Sequence, residues 1–154
     1  MMRSSSSHDA YPVRKVTLPS NDVRTVVAYY FSKLLSAGFD AAVERTKEAL
    51  KREGFGVITE IDVQQTLKEK INVDFRPYRI LGACNPALAH EALQLEDKVG
   101  TMLPCNVIVQ AASHGRIEVA AIDPVASMRA IENPALLEKA RAVGAKLEKA
   151  INSL

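Results

Sequence analysis

The chain has 154 residues, of which 47% are hydrophobic and 25% are charged, a composition typical of one globular domain. Its 20 basic and 18 acidic residues leave a net charge of only +2, and they are interspersed, as at residues 44–48, so no basic face predicts nucleic-acid binding. No apolar run approaches the roughly 20 residues of a membrane span, and two cysteines are too few for a disulfide framework.

Residues 1–25 are predicted to form a flexible N-terminal arm. The four serines at residues 4–7 and the polar residues beside them cannot bury an apolar surface. The arm lacks the apolar stretch of a secretory signal, so a cytoplasmic location is expected. The rest of the chain, residues 26–154, is predicted to form a single α+β domain.

The domain is predicted to begin with a β-rich run at residues 26–35, followed by a helix over residues 39–53. Apolar residues of this helix recur at helical spacing and charges fill its other face. Gly54 stands where a left-handed residue would end the helix. Residues 55–61 then alternate with a period of two, which predicts a strand. The residues expected on one face of this strand are Phe55, Val57, Thr59 and Ile61.

A short helix, a strand and a second capped helix follow. Asp62 is the predicted N-cap of the short helix. Residues 78–84 form the next predicted strand. Asn85 and Pro86 then open a helix that covers residues 87–95, with proline in its favoured first position.

The last part of the chain is predicted to form a hairpin and a long helix. Residues 105–112 and 116–122 are β-rich and are separated by a Ser-His-Gly turn. The long helix begins at Asn133 and Pro134 and runs to about residue 152. Short connections and a hairpin favour an α+β fold with a mainly antiparallel sheet and the long helices on one face.

No familiar catalytic constellation occurs in the chain. The sequence lacks a phosphate-binding glycine loop, a serine nucleophile elbow and a pair of histidines at helical metal spacing. We therefore assign no catalytic residue, and both the identity of any cofactor and the chain's status as an enzyme stay open.

Two Cys-Asn dipeptides are the most interesting polar feature. Cys84-Asn85 closes one predicted strand and Cys105-Asn106 opens the next. If these strands are antiparallel neighbours, both thiols share one rim of the sheet. A thiol beside a helix N-terminus has a lowered pKa, because the helix dipole stabilises the thiolate.

Two interpretations of these dipeptides stay open. In the functional one, the thiols bind a soft metal, form a reversible disulfide or attack an electrophile. In the structural one, the cysteines are buried and the asparagines serve as caps, which both residue types commonly do. Cys84 and Cys105 are the only candidate metal ligands. The candidate ligand-binding residues are Cys84, Asn85, Cys105, Asn106, His90 and Asp123.

Four segments carry a family resemblance: residues 54–62 (GFGVITEID), 78–86 (YRILGACNP), 103–107 (LPCNV) and 122–128 (IDPVASM). Through them, residues 29–154 resemble the bacterial and archaeal family called domain of unknown function 302. The resemblance implies a curved antiparallel sheet that grips a long helix, as in TATA-binding-protein-like and helix-grip folds, often in a homodimer. It implies no catalytic residues, and a shared topology alone does not confer DNA binding.

The function predicted from these features is that of a non-catalytic module that binds a small ligand or self-associates. A homodimer and a small-molecule ligand are the expected partners, and neither nucleic acid nor a membrane is expected. The alternative is a thiol-based redox or metal-binding protein that uses Cys84 and Cys105.

Overall fold

The computed structural model describes residues 28–154, in which strands and helices alternate along the chain. The strands are β1 (Tyr30–Leu35), β2 (Gly56–Asp62), β3 (Tyr78–Cys84), β4 (Cys105–Ala111) and β5 (Ile117–Ile122). The helices are α1 (Phe39–Arg52), α2 (Val63–Ile71), α3 (Pro86–Leu95), α4 (Pro124–Ser127) and α5 (Pro134–Asn152). A 3₁₀ helix, Asp97–Met102, precedes β4. The predicted arm lies outside the described residues, as do the first two residues of the predicted strand 26–35.

The strands form one open sheet in the order β1-β5-β4-β3-β2, and every adjacent pair is antiparallel. The predicted hairpin is β4 and β5, and it occupies the middle of the sheet beside β1. The predicted α+β class with an antiparallel sheet is therefore confirmed.

Helices α1 and α5 pack on one face of this sheet and cover the main core. Leu50 of α1 and Leu147 of α5 are fully buried in one cluster with Leu81, Val107 and Val119 of the central strands. Complete burial of each such side chain contributes roughly 1.5–3 kcal/mol to folding. The prediction that the long helices share one face is also confirmed.

The opposite face of the sheet, which we call the open face, keeps several apolar side chains in solvent. Tyr30, Leu34 and Ile61 are 39%, 45% and 47% exposed there. Each of these three residues pairs with a residue that stands next to a core residue on the neighbouring strand. Because successive side chains of a strand point to opposite faces, Tyr30, Leu34 and Ile61 lie on the open face. Helix α2 buries none of its residues fully.

Side chains at the predicted cap positions begin the helices. Oxygens of Asp62, Asn85 and Asn133 accept hydrogen bonds from backbone N–H groups at 3.0, 3.3 and 3.2 Å, and Asp123 caps α4 in the same manner. Gly54 follows α1 with φ of +84°, the left-handed conformation expected from its position. The helix boundaries thus follow from local chemistry.

The prediction for the faces of β2 is wrong because the strand contains a β-bulge. Val57 pairs with a core residue of β3, but Thr59 pairs with Gly82, so Ile58 has no cross-strand partner. One extra residue reverses the alternation. Thr59 and Ile61 therefore lie on the open face, while Val57 faces the core.

Candidate functional site

A cleft of about 230 Å³ lies at the end of the sheet where β3 stops and β4 begins. We call it the α3–α5 cleft, because these two helices line it from both sides. Ala89 and Ala92 of α3 and Ala140 and Val143 of α5 are among the lining residues. Their short side chains leave space that larger residues would fill.

The cleft lies at the junction of two hydrophobic clusters. Phe55 and Cys105 belong to the main core, whereas Met128 and Leu136 belong to a smaller cluster beneath α3 and α5. Beside this second cluster, the side-chain amide of Asn133 donates a hydrogen bond to the last carbonyl of α3, that of Leu95, at 3.2 Å and links the start of α5 to the end of α3. The gap between two such clusters is apolar on nearly every side.

Few polar groups line the cleft. Among the described residues, the polar ones that line it are Cys84, Asn85, Cys105 and Lys139. The side-chain oxygen Oδ1 of Asn85 caps α3, accepting a hydrogen bond from the Leu88 N–H at 3.3 Å. An apolar pocket with a few fixed polar groups is the usual form of a small-molecule site.

The structure places both cysteines at this cleft. Cys105 is buried and pairs across the sheet with Ala83, the neighbour of Cys84, and both cysteines are free thiols. Burial, together with the proximity of Cys84, raises the pKa of the Cys105 thiol from 9.0 to about 11. The expected lowering of the pKa is therefore wrong for Cys105, because desolvation of the thiolate outweighs the helix dipole.

Three of the six predicted ligand-binding residues lie away from the cleft. His90 is exposed on α3, Asn106 is exposed on β4, and Asp123 caps α4 by accepting from the Val125 N–H at 3.0 Å. Within residues 28–154, no group of three or more His, Cys, Asp and Glu side chains is close enough to hold a metal ion. The cleft thus unites only Cys84, Asn85 and Cys105 from the predicted set.

Sequence reasoning missed two features of the cleft. The bulge residue Ile58 lines it and is 63% exposed, although isoleucine is normally buried. Lys139 on α5 pairs with Glu91 on α3 at 2.7 Å and so bridges the two helices. Neither feature has a local sequence signal, because a bulge and an interhelical ion pair both depend on how distant segments pack.

A second polar cluster lies at the β2 edge of the sheet. Glu60 contacts Lys47 at 2.9 Å and Arg79 at 2.7 Å, and Asp62 lies 3.6 Å from Arg79. Hydrogen bonds from Lys47 and then from Arg79 lower the pKa of Glu60, and the bond to Glu60 raises the pKa of Lys47. Although Nε of Arg79 is buried without a hydrogen-bond partner, the pairing of opposite charges stabilises the β2–β3 edge.

Comparison with known proteins places the chain among uncharacterised relatives. Residues 31–154 match the model of a family described as domain of unknown function DUF302. A crystal structure of an uncharacterized conserved protein DUF302 from Bacillus stearothermophilus is 32% identical, with a TM-score of 0.75. The match covers 80% of this chain and 96% of that one. No curated protein matches the chain.

Proposed function

The chain belongs to the DUF302 family, and we propose that it is a non-catalytic module that binds a small, largely apolar ligand in the α3–α5 cleft. The main support is the cleft itself, a cavity of about 230 Å³ whose lining includes Ile58, an apolar side chain left 63% exposed. The lining offers no evident acid–base pair, because Cys105 keeps its proton at neutral pH and Lys139 is paired with Glu91. Such a cleft favours binding over chemistry.

The size of the cleft sets the scale of the ligand. An engineered apolar cavity of about 150 Å³ binds benzene, so by proportion this cleft would take about nine non-hydrogen atoms. Burial of eight carbons contributes about 6 kcal/mol. The cost of association offsets much of this gain, so we expect binding weaker than the dissociation constant of about 4 × 10⁻⁵ M that about 6 kcal/mol alone would give.

The test is a calorimetric titration with 1-octanol, a neutral probe of this size. Ala140→Leu adds three carbons inside the cleft and should weaken binding at least about tenfold, because less room remains. Ala145→Leu is the matched control, since Ala145 is exposed on the same helix and lies outside the lining. Absence of saturable binding to the wild type, or equal binding by Ala140→Leu, would contradict the proposal.

A second part of the proposal is self-association through the open face. Its support is the set of exposed apolar residues there, Tyr30, Leu34 and Ile61. Five strands of about six residues span roughly 20 by 24 Å, or about 480 Å². A standard interface buries about 800 Å² on each partner, so we expect a weak homodimer.

Sedimentation velocity at several concentrations tests this homodimer. Leu34→Glu places a charge on the open face and should leave the chain monomeric. Leu95→Glu is the control, because Leu95 is similarly exposed at 38% but lies at the end of α3. A wild type that is monomeric at every concentration would rule out this part of the proposal.

The alternative function, thiol-based redox or metal binding, is supported by the position of both cysteines at one cleft. It requires that Cys84 react in the native state and that Cys84→Ser change metal content or redox behaviour. If thiol reagents label neither Cys84 nor Cys105 before unfolding, this alternative fails. Two free thiols suit a reducing compartment, so a cytoplasmic location is part of either proposal.

A further inference from the structure

On the basis of the proposed function, we infer that the ligand of the α3–α5 cleft is a small monocarboxylate. Its hydrocarbon part fills the cleft, and its carboxylate pairs with the ammonium of Lys139. The class of ligand follows from the charge at the rim, the size of the cavity and the apolar character of the remaining lining.

Lys139 is the one acidic or basic side chain among the described residues that line the cleft. It belongs to the same face of α5 as Leu136, Ala140 and Val143, which also line the cleft, as the three- and four-residue spacing requires. Its side chain is 39% exposed, whereas Leu136 and Ala140 are buried. The positive charge therefore lies at the boundary between an apolar cavity and solvent.

The ion pair with Glu91 shows that a carboxylate can reach the Lys139 ammonium. The two groups are 2.7 Å apart, and Glu91 lies outside the cleft lining with its side chain 46% exposed. The contacting Oε2 of Glu91 is buried, but both side chains are partly exposed as a whole, so the pair contributes about 1 kcal/mol or less to stability. An ammonium has three hydrogen-bond donors, so a ligand carboxylate can share Lys139 with Glu91 or replace it.

The cavity limits the hydrocarbon part to about nine atoms, by proportion to the cavity that binds benzene. Ile58 on the β2 bulge gives that part a further apolar contact, because its side chain lines the cleft and remains 63% exposed. A linear or branched acid of about eight carbons satisfies both limits. Octanoate is the simplest probe of this kind.

Other ligand classes fit the lining less well. A phosphate or a dicarboxylate carries more charge than a single lysine can neutralise, and no arginine lines the cleft within residues 28–154. An amine would meet the like charge of Lys139. A neutral alcohol would offer the ammonium only an uncharged acceptor, which is weaker than a carboxylate, and a hydrocarbon would offer none.

The test compares octanoate with 1-octanol, which has the same chain length and no charge, by calorimetry at low salt. We expect the wild type to bind octanoate about fivefold more tightly than octanol. Lys139→Met should abolish this preference, so that octanoate and octanol bind the variant with similar affinity. Glu91→Gln should strengthen octanoate binding about twofold to threefold, because the competing carboxylate is gone. Lys146→Met is the matched control, two turns further along α5 and outside the lining.

The outcomes separate this inference from the proposed function. If octanol and octanoate bind equally, or Lys139→Met keeps the preference, the ligand is not a carboxylate, but the cleft still binds small apolar molecules. If Lys146→Met lowers octanoate affinity as much as Lys139→Met, the preference for octanoate comes from the overall positive charge and not from a specific pair with Lys139, and the inference is wrong. If neither probe binds, the proposed function fails together with this inference.

Discussion

Replacement of Gly82 by alanine is expected to destabilise the chain strongly, because two side chains occupy the space that a Cβ atom would need. A Cβ built on Gly82 would lie 2.0 Å from the Thr59 hydroxyl oxygen and 2.7 Å from Cγ of Pro104. Ordinary contacts begin at 3.4 Å, so the neighbours must move by about 1.4 and 0.7 Å. Thr59 lies on β2, the strand with the bulge, and Pro104 immediately precedes β4. The substitution therefore disturbs both neighbours of β3 at the end of the sheet that borders the cleft.

The size of the effect follows from the two overlaps. Extra atoms in a filled site cost about 1–3 kcal/mol, and two simultaneous contacts below 3.0 Å place Gly82→Ala at about 2–3 kcal/mol. Thr59→Ala removes the closer contact, so the double variant should lose at least about 1 kcal/mol less than the sum of the single variants.

Urea denaturation followed by far-UV circular dichroism measures these free energies of unfolding. Gly56→Ala is the matched control, because a Cβ there has no neighbour within 4 Å. It should change the free energy of unfolding by no more than about 0.5 kcal/mol. Equal effects at Gly82 and Gly56 would refute the packing argument, as would simple additivity with Thr59→Ala.

At neutral pH, Glu60→Gln should lower the free energy of unfolding by about 1 kcal/mol, because hydrogen bonds led by that from Lys47 lower the Glu60 pKa from 4.5. Since the folded-state pKa of Glu60 is lowered, this stabilisation is present above pH 4.5 and is lost as the pH falls through the folded-state pKa. If the wild type and Glu60→Gln still differed in stability in strong acid, the ion-pair explanation would be wrong. Asn133→Ala should cost about 1 kcal/mol in thermal or urea unfolding, and Asn133→Asp, which keeps the capping oxygen but loses the donor to the Leu95 carbonyl, should recover part of that loss. In a Cys84→Ser background, alkylation of Cys105 should be slow at neutral pH and should accelerate as the pH rises above 9.0, because burial, the larger cause of the raised pKa, is retained; rapid alkylation at neutral pH would show that burial does not protect the thiol.

The sequence resolved the elements and their ends, because these depend on nearby residues. Asn85 and Asn133 were recognisable as caps, each followed by proline, and both cap their helices in the structure. Gly54 ends α1 in the left-handed conformation for the same local reason. The alternation of residues 105–122 around a polar turn specified the hairpin. In addition, the four resembling segments indicated the family that the comparison then matched.

The candidate site could be predicted only in part. The Cys-Asn dipeptides pointed to the junction of β3 and β4, where Cys84, Asn85 and Cys105 do line one cleft. His90 and Asn106 were expected there as well, but they face solvent. A one-residue step along a strand or helix reverses or rotates the direction of a side chain, and sequence proximity does not fix that direction.

What the sequence determined by itself were the helices and their caps, since these are stabilised by contacts within a few residues, and the approximate positions of the strands, since burial of one face leaves a period of two in the sequence. Only the tertiary structure decided the pairing of β1 with β5, the bulge at Ile58, the bridge between Lys139 and Glu91, and the raised pKa of Cys105. These features depend on the total packing energy of segments far apart in the chain. No single residue contributes enough of that energy for the local sequence around it to reveal these features.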